Sequence, residues 1–525
     1  MDQDKLVTLI RKRHPEYNDL LPHWRFLESC YKGGRGWFED NIFRYIKEGE
    51  LEYSGRIDRA YRFNHSREVV DLVDKYLFKS PIIRNDGDAS DEVNLFWEKS
   101  TKFGLNIDQY MKQISRKASI FGSAWVVVDN TYSVDEEEGS AISVADIKDS
   151  GGKIFSYLVT PDRVLDFAYD EDGELLWVLI YEQIRDSNDP FDSSGDMVDR
   201  YRLWTKMEWY LFSTTVRGAS FTNVSTSATN AASDIVVTLE DSGQHNLGVV
   251  PAFRVDNYVT DETWAAPSLI GDIAYLDRAV ANYLSNLDVI IQDQTFSQLI
   301  MPAQGLMPGD DGYKKLVEMG TKRIFLYDGE RDGKPEYISP DPKQANVIMG
   351  VITKIINEIY HTVGMAGERT KQDNAVGIDN SSGVAKAFDF ERVNSLLTSK
   401  AASLEVAERK LVKLVNLWAG NSEFDDTLVR YARTFDIRSL FDEFDISARL
   451  SLIEAPDLVR REQMNVMIDK LFPMLNSDVK EKMRSELQSW PPKMEEVSVG
   501  PSLLTPKVKE NGANGERSED DKNAA

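Results

Sequence analysis

A chain of 525 residues that is 42% hydrophobic and 10% aromatic can bury about three or four domains' worth of core, which excludes a mostly disordered polymer. Its 87 acidic against 62 basic residues give a formal charge of −25. That balance excludes a protein that coats itself in nucleic acid, because each phosphate contact needs a cation to displace counterions. One cysteine, Cys30, excludes intrachain disulfides and thiolate-rich zinc sites, and five scattered histidines leave little for a histidine metal site.

Residues 1–80 read as amphipathic helices interrupted by the turn-forming cluster Gly33-Gly34-Arg35-Gly36. Helix continues over Asp91 to Phe121, with Phe96, Trp97, Phe103, Ile107, Tyr110, Met111 and Ile114 at three-to-four spacing. The pattern then changes. Ala124–Asp129, Ile154–Val159, Val164–Tyr169 and Leu175–Ile184 read as strands, and Asp172-Gly173 marks a hairpin between the last two. Arg200–Phe212 and Ile235–Leu239 read as further strands. Twelve of the 21 residues 213–233 are Ser, Thr or Asn, the composition of a long loop.

From Ser268 helix dominates: Leu269, Ile273, Leu276, Val280, Tyr283, Leu287 and Ile290 make a seam of alternating four and three spacings. A compact αβ insert follows, with strands at Leu299–Ala303, Arg323–Tyr327 and Glu336–Ile338 and a short helix at Asp310–Met319. Helix resumes over Pro342–Tyr360. Residues 361–383 are polar and glycine-bearing, hence a loop. Val384 to Ala419 runs 36 residues without Gly or Pro, a helix about 54 Å long. Phe390, Leu397, Leu404, Leu411 and Trp418 recur along it every seven residues, with Val393, Ala407 and Leu414 between them. Beyond it, Asp445–Leu450 reads as extended, and helices are expected near 457–472 and 478–489. The polar tail from Pro491 has too little apolar surface to fold.

The longest apolar stretch, Ala118–Val128, falls far short of the ~20 residues of a membrane-spanning helix. The charged N-terminus has no apolar core of a secretory signal. A soluble chain made in a reducing compartment is the expectation.

Catalytic signatures are sparse. The Gly-Lys pairs at 152–153 and 333–334 precede Ile and Pro, so neither is a phosphate-binding loop. No HExxH or GxSxG sequence occurs. Acidic clusters at Asp86–Glu92, Asp135–Glu138 and Asp170–Glu174 lack calcium-loop spacing and read as solvated loops. Cys30 with His23 would make a dyad without an orienting partner, and a half-buried thiol accounts for Cys30 as well. The expectation is a structural protein with no catalytic residues, cofactor or metal.

Five stretches in order resemble the portal proteins, or head–tail connectors, of tailed bacteriophages. They are Asn64 with VVDLVDKYLFKSPI (69–82), ASIFGSAWVVVD (118–129), the pair LVTPDRVLDF (158–167) and GVVPAFRVDN (248–257), the helix–insert–helix of 268–360, and NSSGVAKAFDF (380–390). The resemblance covers about 60–490. It implies an α+β subunit with a helical and β-rich wing (1–267), two stem helices (268–296 and 342–360), a small αβ clip (297–341) and a tunnel loop (361–383). A long wing helix (384–423), a helical crown (424–492) and a disordered tail (493–525) complete it.

It further implies a ring, usually of twelve copies, at one capsid vertex of the virion, assembled in the host cytoplasm. Double-stranded DNA would pass through without sequence specificity during packaging and ejection. Terminase large subunit, head-completion adaptor, major capsid and scaffolding proteins would be partners, and no membrane is involved. On this resemblance Leu269, Ile273, Leu276, Val280 and Leu287 form the ring-assembly seam. Asp272, Asp277, Asp288 and Asp293 either line the channel, repelling phosphate, or face solvent outside the stem. Arg369, Lys371, Gln372 and Asn374 are the loop residues nearest DNA, unless the two cations pair with Glu368 and Asp373. Tyr313, Lys314 and Lys315 form a docking surface on the clip, unless Tyr313 packs beneath its sheet. Two other classes remain open on sequence alone: a capsid-associated or scaffolding protein without a channel, and a metal-dependent enzyme built on the acidic loops.

Overall fold

The structure is a computed structural model that describes residues 3–131, 153–216, 235–260, 264–295, 298–302, 311, 324–327, 334, 336–338, 342–364, 383–421, 425–433, 435, 449–450, 456–472 and 477–488. The chain divides into two compact units, Met1–Asp436 and Ile437–Ala525.

The first unit opens with helices α1 (Gln3–Ile10), α2 (Tyr17–Lys32), α3 (Arg35–Asn41), α4 (Glu50–Arg59) and α5 (His65–Leu77). Gly33 and Gly34, at φ of 62° and 95°, make the turn between α2 and α3 that their sequence predicts. Strand β1 (Ile83–Arg84) and helices α6 (Asp91–Glu98) and α7 (Ile107–Phe121) follow. Side chains of Asn64, Ser90 and Asn106 cap α5, α6 and α7 by accepting from backbone N–H groups. Leu27, Val69, Val70, Val73, Met111 and Ile114 are fully buried where α2, α5 and α7 meet.

Gly122 ends α7 at φ of 89°, and a Cβ there would lie 1.8 Å from the Ala266 carbonyl oxygen. Only glycine permits both the left-handed turn and that approach, so the helix can hand over at once to β2 (Ser123–Asn130). The all-buried start of β2, Ser123 to Val128, explains its unbroken apolar sequence. It lies between β3 (Ile154–Val159) and β9 (Ala252–Asp256), both antiparallel to it. A second sheet is an antiparallel meander of β4 (Val164–Tyr169), β5 (Leu175–Arg185), β6 (Met197–Thr205), β7 (Glu208–Val216) and β8 (Ile235–Gln244). The Asp172-Gly173 turn falls where expected. The expected single strand Arg200–Phe212 is instead a hairpin: the Thr205 hydroxyl accepts from the Glu208 N–H and breaks the strand.

Helix α8 (Ile273–Thr295) starts five residues later than its apolar pattern suggests. A three-stranded sheet follows, with β10 (Gln298–Pro302) central, parallel to β11 (Ile324–Tyr327) and antiparallel to β12 (Glu336–Ile338). Of the helix expected at 310–319 only Asp311, which is helical, is described. Helix α9 (Pro342–Thr362) and the 36-residue α10 (Gly383–Trp418) complete the helical framework. A short strand β13 (Val429–Arg430), unforeseen in the sequence, pairs with β1 across the chain. In the second unit, α11 (Asp457–Leu471) packs on α12 (Ser477–Leu487). Arg449 and Leu450 are helical, against the extended stretch expected at 445–450; residues 445–448 lie outside the described residues.

Candidate functional site

Helix α8 is apolar on one face and polar on another. Val280, Leu284 and Leu287 pack with Ile352 of α9 and are flanked by Ala345, Ile348, Ile355 and Ile356. Ser66 meets Asp277, and His65 Nδ1 lies 3.1 Å from the Tyr360 hydroxyl. Consecutive residues of α5 therefore touch the first turns of α8 and the last turn of α9, so α9 runs back along α8.

The other face of α8 is held by residues 41–66 through polar contacts at nearly every turn. Asp277, fully buried, accepts from the Ser66 N–H (3.2 Å) and Oγ (2.8 Å), with the Arg62 guanidinium 3.8 Å away. Its carboxylate sits at the N-terminus of α5, where free N–H groups and the helix dipole favour an anion. Arg62 stacks 3.8 Å over the Trp37 ring and donates to the Cys30 carbonyl. One turn along, Asn282 donates to the Asn41 carbonyl (2.9 Å) and accepts from the Phe43 N–H (2.9 Å). Arg56, also buried, grips Glu48 with two bonds (2.7 and 2.6 Å) and donates to Ser285 Oγ (3.1 Å) and the Phe43 carbonyl (2.8 Å). The Arg56 hydrogen bonds hold the Glu48 carboxyl below its ordinary range. At the far turn, Arg59 pairs with Asp288 at 3.3 Å, half exposed.

Two of the expected channel-wall residues are thereby relocated. Asp277 is not on a wall, because Ser66 and Arg62 enclose it. Asp288 is exposed but engaged with Arg59 and with Gln292 Nε2 (2.9 Å). Asp272 is exposed at the foot of α8, and the side chain of Asp293 lies outside the described residues. The ring-assembly seam is also corrected. Ile273, Val280 and Leu287 are buried within the subunit, and Leu269 and Leu276 pack against its main core, so these residues hold α8 in its own chain. Tyr313, Lys314, Lys315, Arg369, Lys371, Gln372 and Asn374 lie outside the described residues, as does the Asp135–Glu138 cluster.

The Cys30–His23 dyad does not form. Cys30 is buried, its sulfur accepts from the Trp37 indole N–H (3.4 Å), and burial pushes its thiol pKa up. His23 instead bonds the Tyr275 hydroxyl at 3.1 Å, and burial lowers its pKa. Asp170 terminates a hairpin, accepting from the N–H groups of Asp172 and Glu174 and from Lys206. Among the described residues, no three metal-ligating side chains converge. No described helix is long and apolar enough to cross a membrane.

A second anchorage, which the sequence reading missed, fixes α10. Lys400 is buried, and its ammonium donates to Ser119 Oγ (2.7 Å) and Asn257 Oδ1 (2.5 Å). Burial lowers its pKa to about 8 against the opposing charge of Asp74. Two turns on, Glu408 takes Arg84 Nε (2.5 Å) and the Tyr431 hydroxyl (2.6 Å), tying β1 and the segment after β13 to α10. A lysine within an otherwise apolar row, three residues after Leu397 and four before Leu404, is the signal that would have found the first anchorage.

Helices paired around a small sheet insert, with a long third helix bound to a mixed wing, form the framework of a structural subunit whose working parts are surfaces rather than a catalytic pocket. The chain matches the family described as phage portal protein, SPP1 Gp6-like, over residues 16–438, and belongs to it. No curated protein matches it. Solved structures similar to it include a chain of the neck of an empty gene transfer agent (GTA) particle computed with C6 symmetry, at 13% identity, covering 81% of this chain and 90% of that one, with a TM-score of 0.35. A chain from the virion of a native GTA particle is similar at 10% identity, 85% and 96% coverage and a TM-score of 0.36. A chain from the neck of a native GTA particle computed with C12 symmetry is similar at 11% identity, 80% and 89% coverage and a TM-score of 0.37. The family match, and not these distant likenesses, carries the assignment.

Proposed function

We propose that this chain is the subunit of a ring that forms the DNA channel at one vertex of a phage-like capsid and serves as the docking platform for the packaging and tail machinery. The observation that carries the reading is the portal-family match across residues 16–438, which spans the whole α8–insert–α9–α10 framework. In this reading α8 and α9 are the stem, 297–341 the clip, 361–383 the tunnel loop and 424–492 the crown.

The function is mechanical and electrostatic, with no reaction to catalyse. A chain of charge −25 repeated around a ring repels phosphate, so duplex DNA slides without sticking. Exposed Asp272 contributes to that repulsion. Arg369, Lys371, Gln372 and Asn374 would touch phosphates weakly from the tunnel loop. Tyr313, Lys314 and Lys315 would meet terminase during packaging and the head-completion adaptor afterwards. Capsid and scaffolding proteins would surround the ring in the virion.

Electron microscopy of the purified full-length protein tests the first half of this reading: rings with an axial hole are expected, and a persistent monomer would overturn it. For the second half, Arg369→Glu with Lys371→Glu should leave rings intact and shorten the DNA retained per particle in a defined packaging assay. Full-length retention at unchanged yield would show that these cations do not act on DNA.

A further inference from the structure

The segment between α3 and α4 exposes large apolar side chains to water while being rigidly held from below. Ile46 is 97% and Leu51 88% exposed, with Phe43 and Tyr45 more than half exposed beside them. A solvated loop would normally shed such residues, since each exposed Å² of apolar surface forgoes about 25 cal/mol of burial. Here the backbone is pinned instead. Glu48 accepts from Arg56 and from the Tyr45 N–H, Arg44 donates to the Glu48 carbonyl and to Glu50, and Phe43 is fastened at both N–H and C=O. Preorganised apolar side chains bind a partner without the entropy cost of ordering a loop. The rim is acidic: residues 39–52 hold Glu39, Asp40, Glu48, Glu50 and Glu52 against Arg44 and Lys47.

A second exposed apolar surface lies on α9, where Val347 is 67% and Met349 55% exposed. Its charge is the opposite. From Pro342 to Asn357 the helix carries Lys343 and Lys354 and no acid.

These two surfaces are on different sides of α8. Arg278, Asn282 and Ser285 face the loop, while Val280, Leu284 and Leu287 face α9. At 3.6 residues per turn the two rows are about 130° apart around the helix. Two surfaces that are both apolar, opposite in charge and turned away from each other fit each other on separate copies and not on one.

We infer that the Phe43–Leu51 shelf of one subunit docks on the Val347–Met349 face of α9 in a second copy of this chain. The contact is heterologous, so it repeats from copy to copy and closes into a ring when the rotation divides a full turn. A shelf-to-shelf contact would oppose acid to acid. The inference rests on the ring reading above and names the surface that makes the ring.

Site-directed cross-linking of the full chain tests it, and the sole native cysteine, Cys30, is buried and silent. Ile46→Cys and Val347→Cys are prepared as separate proteins and oxidised alone and mixed. Cross-linked dimers are expected only from the mixture, and a ladder of multimers from the chain carrying both substitutions. Ile46→Glu with Leu51→Glu should abolish the oligomer peak in light-scattering chromatography while circular dichroism and unfolding midpoint stay unchanged. Dimers from Ile46→Cys alone would overturn the heterologous contact. Wild-type rings that neither cross-link nor dissociate in the Glu variant would overturn the shelf inference and leave the ring reading standing. A wild-type chain that stays monomeric would overturn both.

Discussion

Helices α8 and α10 solve the same problem with opposite charges. Each carries an apolar row at alternating four and three spacings, and in each row one position is ionisable. In α8 the row is Ile273, Asp277, Val280, Leu284, Leu287; in α10 it is Val393, Leu397, Lys400, Leu404, Ala407, Leu411, Leu414. All of these side chains are buried. The surroundings differ. Asp277 has a cation, Arg62, and two donors from the start of α5. Lys400 has two neutral acceptors, and its nearest opposing charge, Asp74, acts only at longer range and is itself raised in pKa by burial. A buried charge with a counter-ion keeps its charge, whereas one held by neutral dipoles has its proton loosened. Asp277 should therefore behave as a fixed rivet and Lys400 as one whose cost depends on pH.

The most damaging way to break that comparison is Asp277→Leu. It leaves Arg62 buried and unpaired over Trp37 and the Ser66 N–H without its acceptor. A loss of about 3–5 kcal/mol in chemical denaturation is expected. Asp277→Asn, which keeps an acceptor for Ser66, should cost less. A loss under about 1 kcal/mol for the leucine variant would show that the pair is not holding α8.

The next effect is a pH dependence. The folded pKa of Lys400 is about 8, below its unfolded value of about 10.4. Between those values the unfolded chain binds more protons, so stability rises with pH through this window. The contribution is fully present above the unfolded pKa and is lost as pH falls through the folded one. The wild type should gain up to about 3 kcal/mol relative to Lys400→Met between pH 7.5 and 10.5. Parallel pH profiles for the two proteins would refute a lowered pKa at this site.

Lys400→Met at pH 7 sharpens the contrast further. It removes a costly buried charge but orphans Asn257 Oδ1 and leaves Asp74 without its compensating cation. The net loss expected is about 1–3 kcal/mol, smaller than for Asp277→Leu. Adding Asp74→Asn should restore part of it, because the amide still accepts from Ser115. No recovery in the double variant would mean that Asp74 and Lys400 are not coupled.

These two residues also explain what the sequence conveyed and what it hid. The order of helices, both sheets and the insert followed from periodicity and turn residues, because those signals are local. The row of α8 was misplaced by one residue: an aspartate at 277 diverted the apolar reading to Leu276, Tyr283 and Ile290. Tyr283 is in fact among the more exposed residues of the helix, and Leu284 is buried. The seam was consequently assigned to a neighbouring copy when it belongs to α9. Lys400 left a gap in the row of α10 for the same reason. Their partners, Ser66 and Arg62 for one and Ser119 and Asn257 for the other, stand 143 to 281 residues away in sequence, and no local pattern announces them. Strands β1 and β13 were missed because two residues are too few to show alternation. The exposed shelf at Phe43–Leu51 was legible only as composition, since exposure is a property of the fold.

The smallest effect is expected on the same helix that carries the largest. Arg59 and Asp288 lie 3.3 Å apart near the outer end of α8, with their side chains 45% and 27% exposed. Water screens this pair, and freezing a long arginine side chain offsets most of the Coulomb gain, so a double-mutant cycle with Arg59→Ala and Asp288→Asn should give a coupling under about 1 kcal/mol. That coupling should shrink further when ionic strength is raised from 0.05 to about 1 M, because the Debye length falls to about 3 Å. The Asp277 cycle, with Arg62 and Ser66 closed off from solvent, should be nearly indifferent to the same salt. Equal salt sensitivity at the two sites would mean that water reaches Asp277 and that α8 is held by packing against α9 alone.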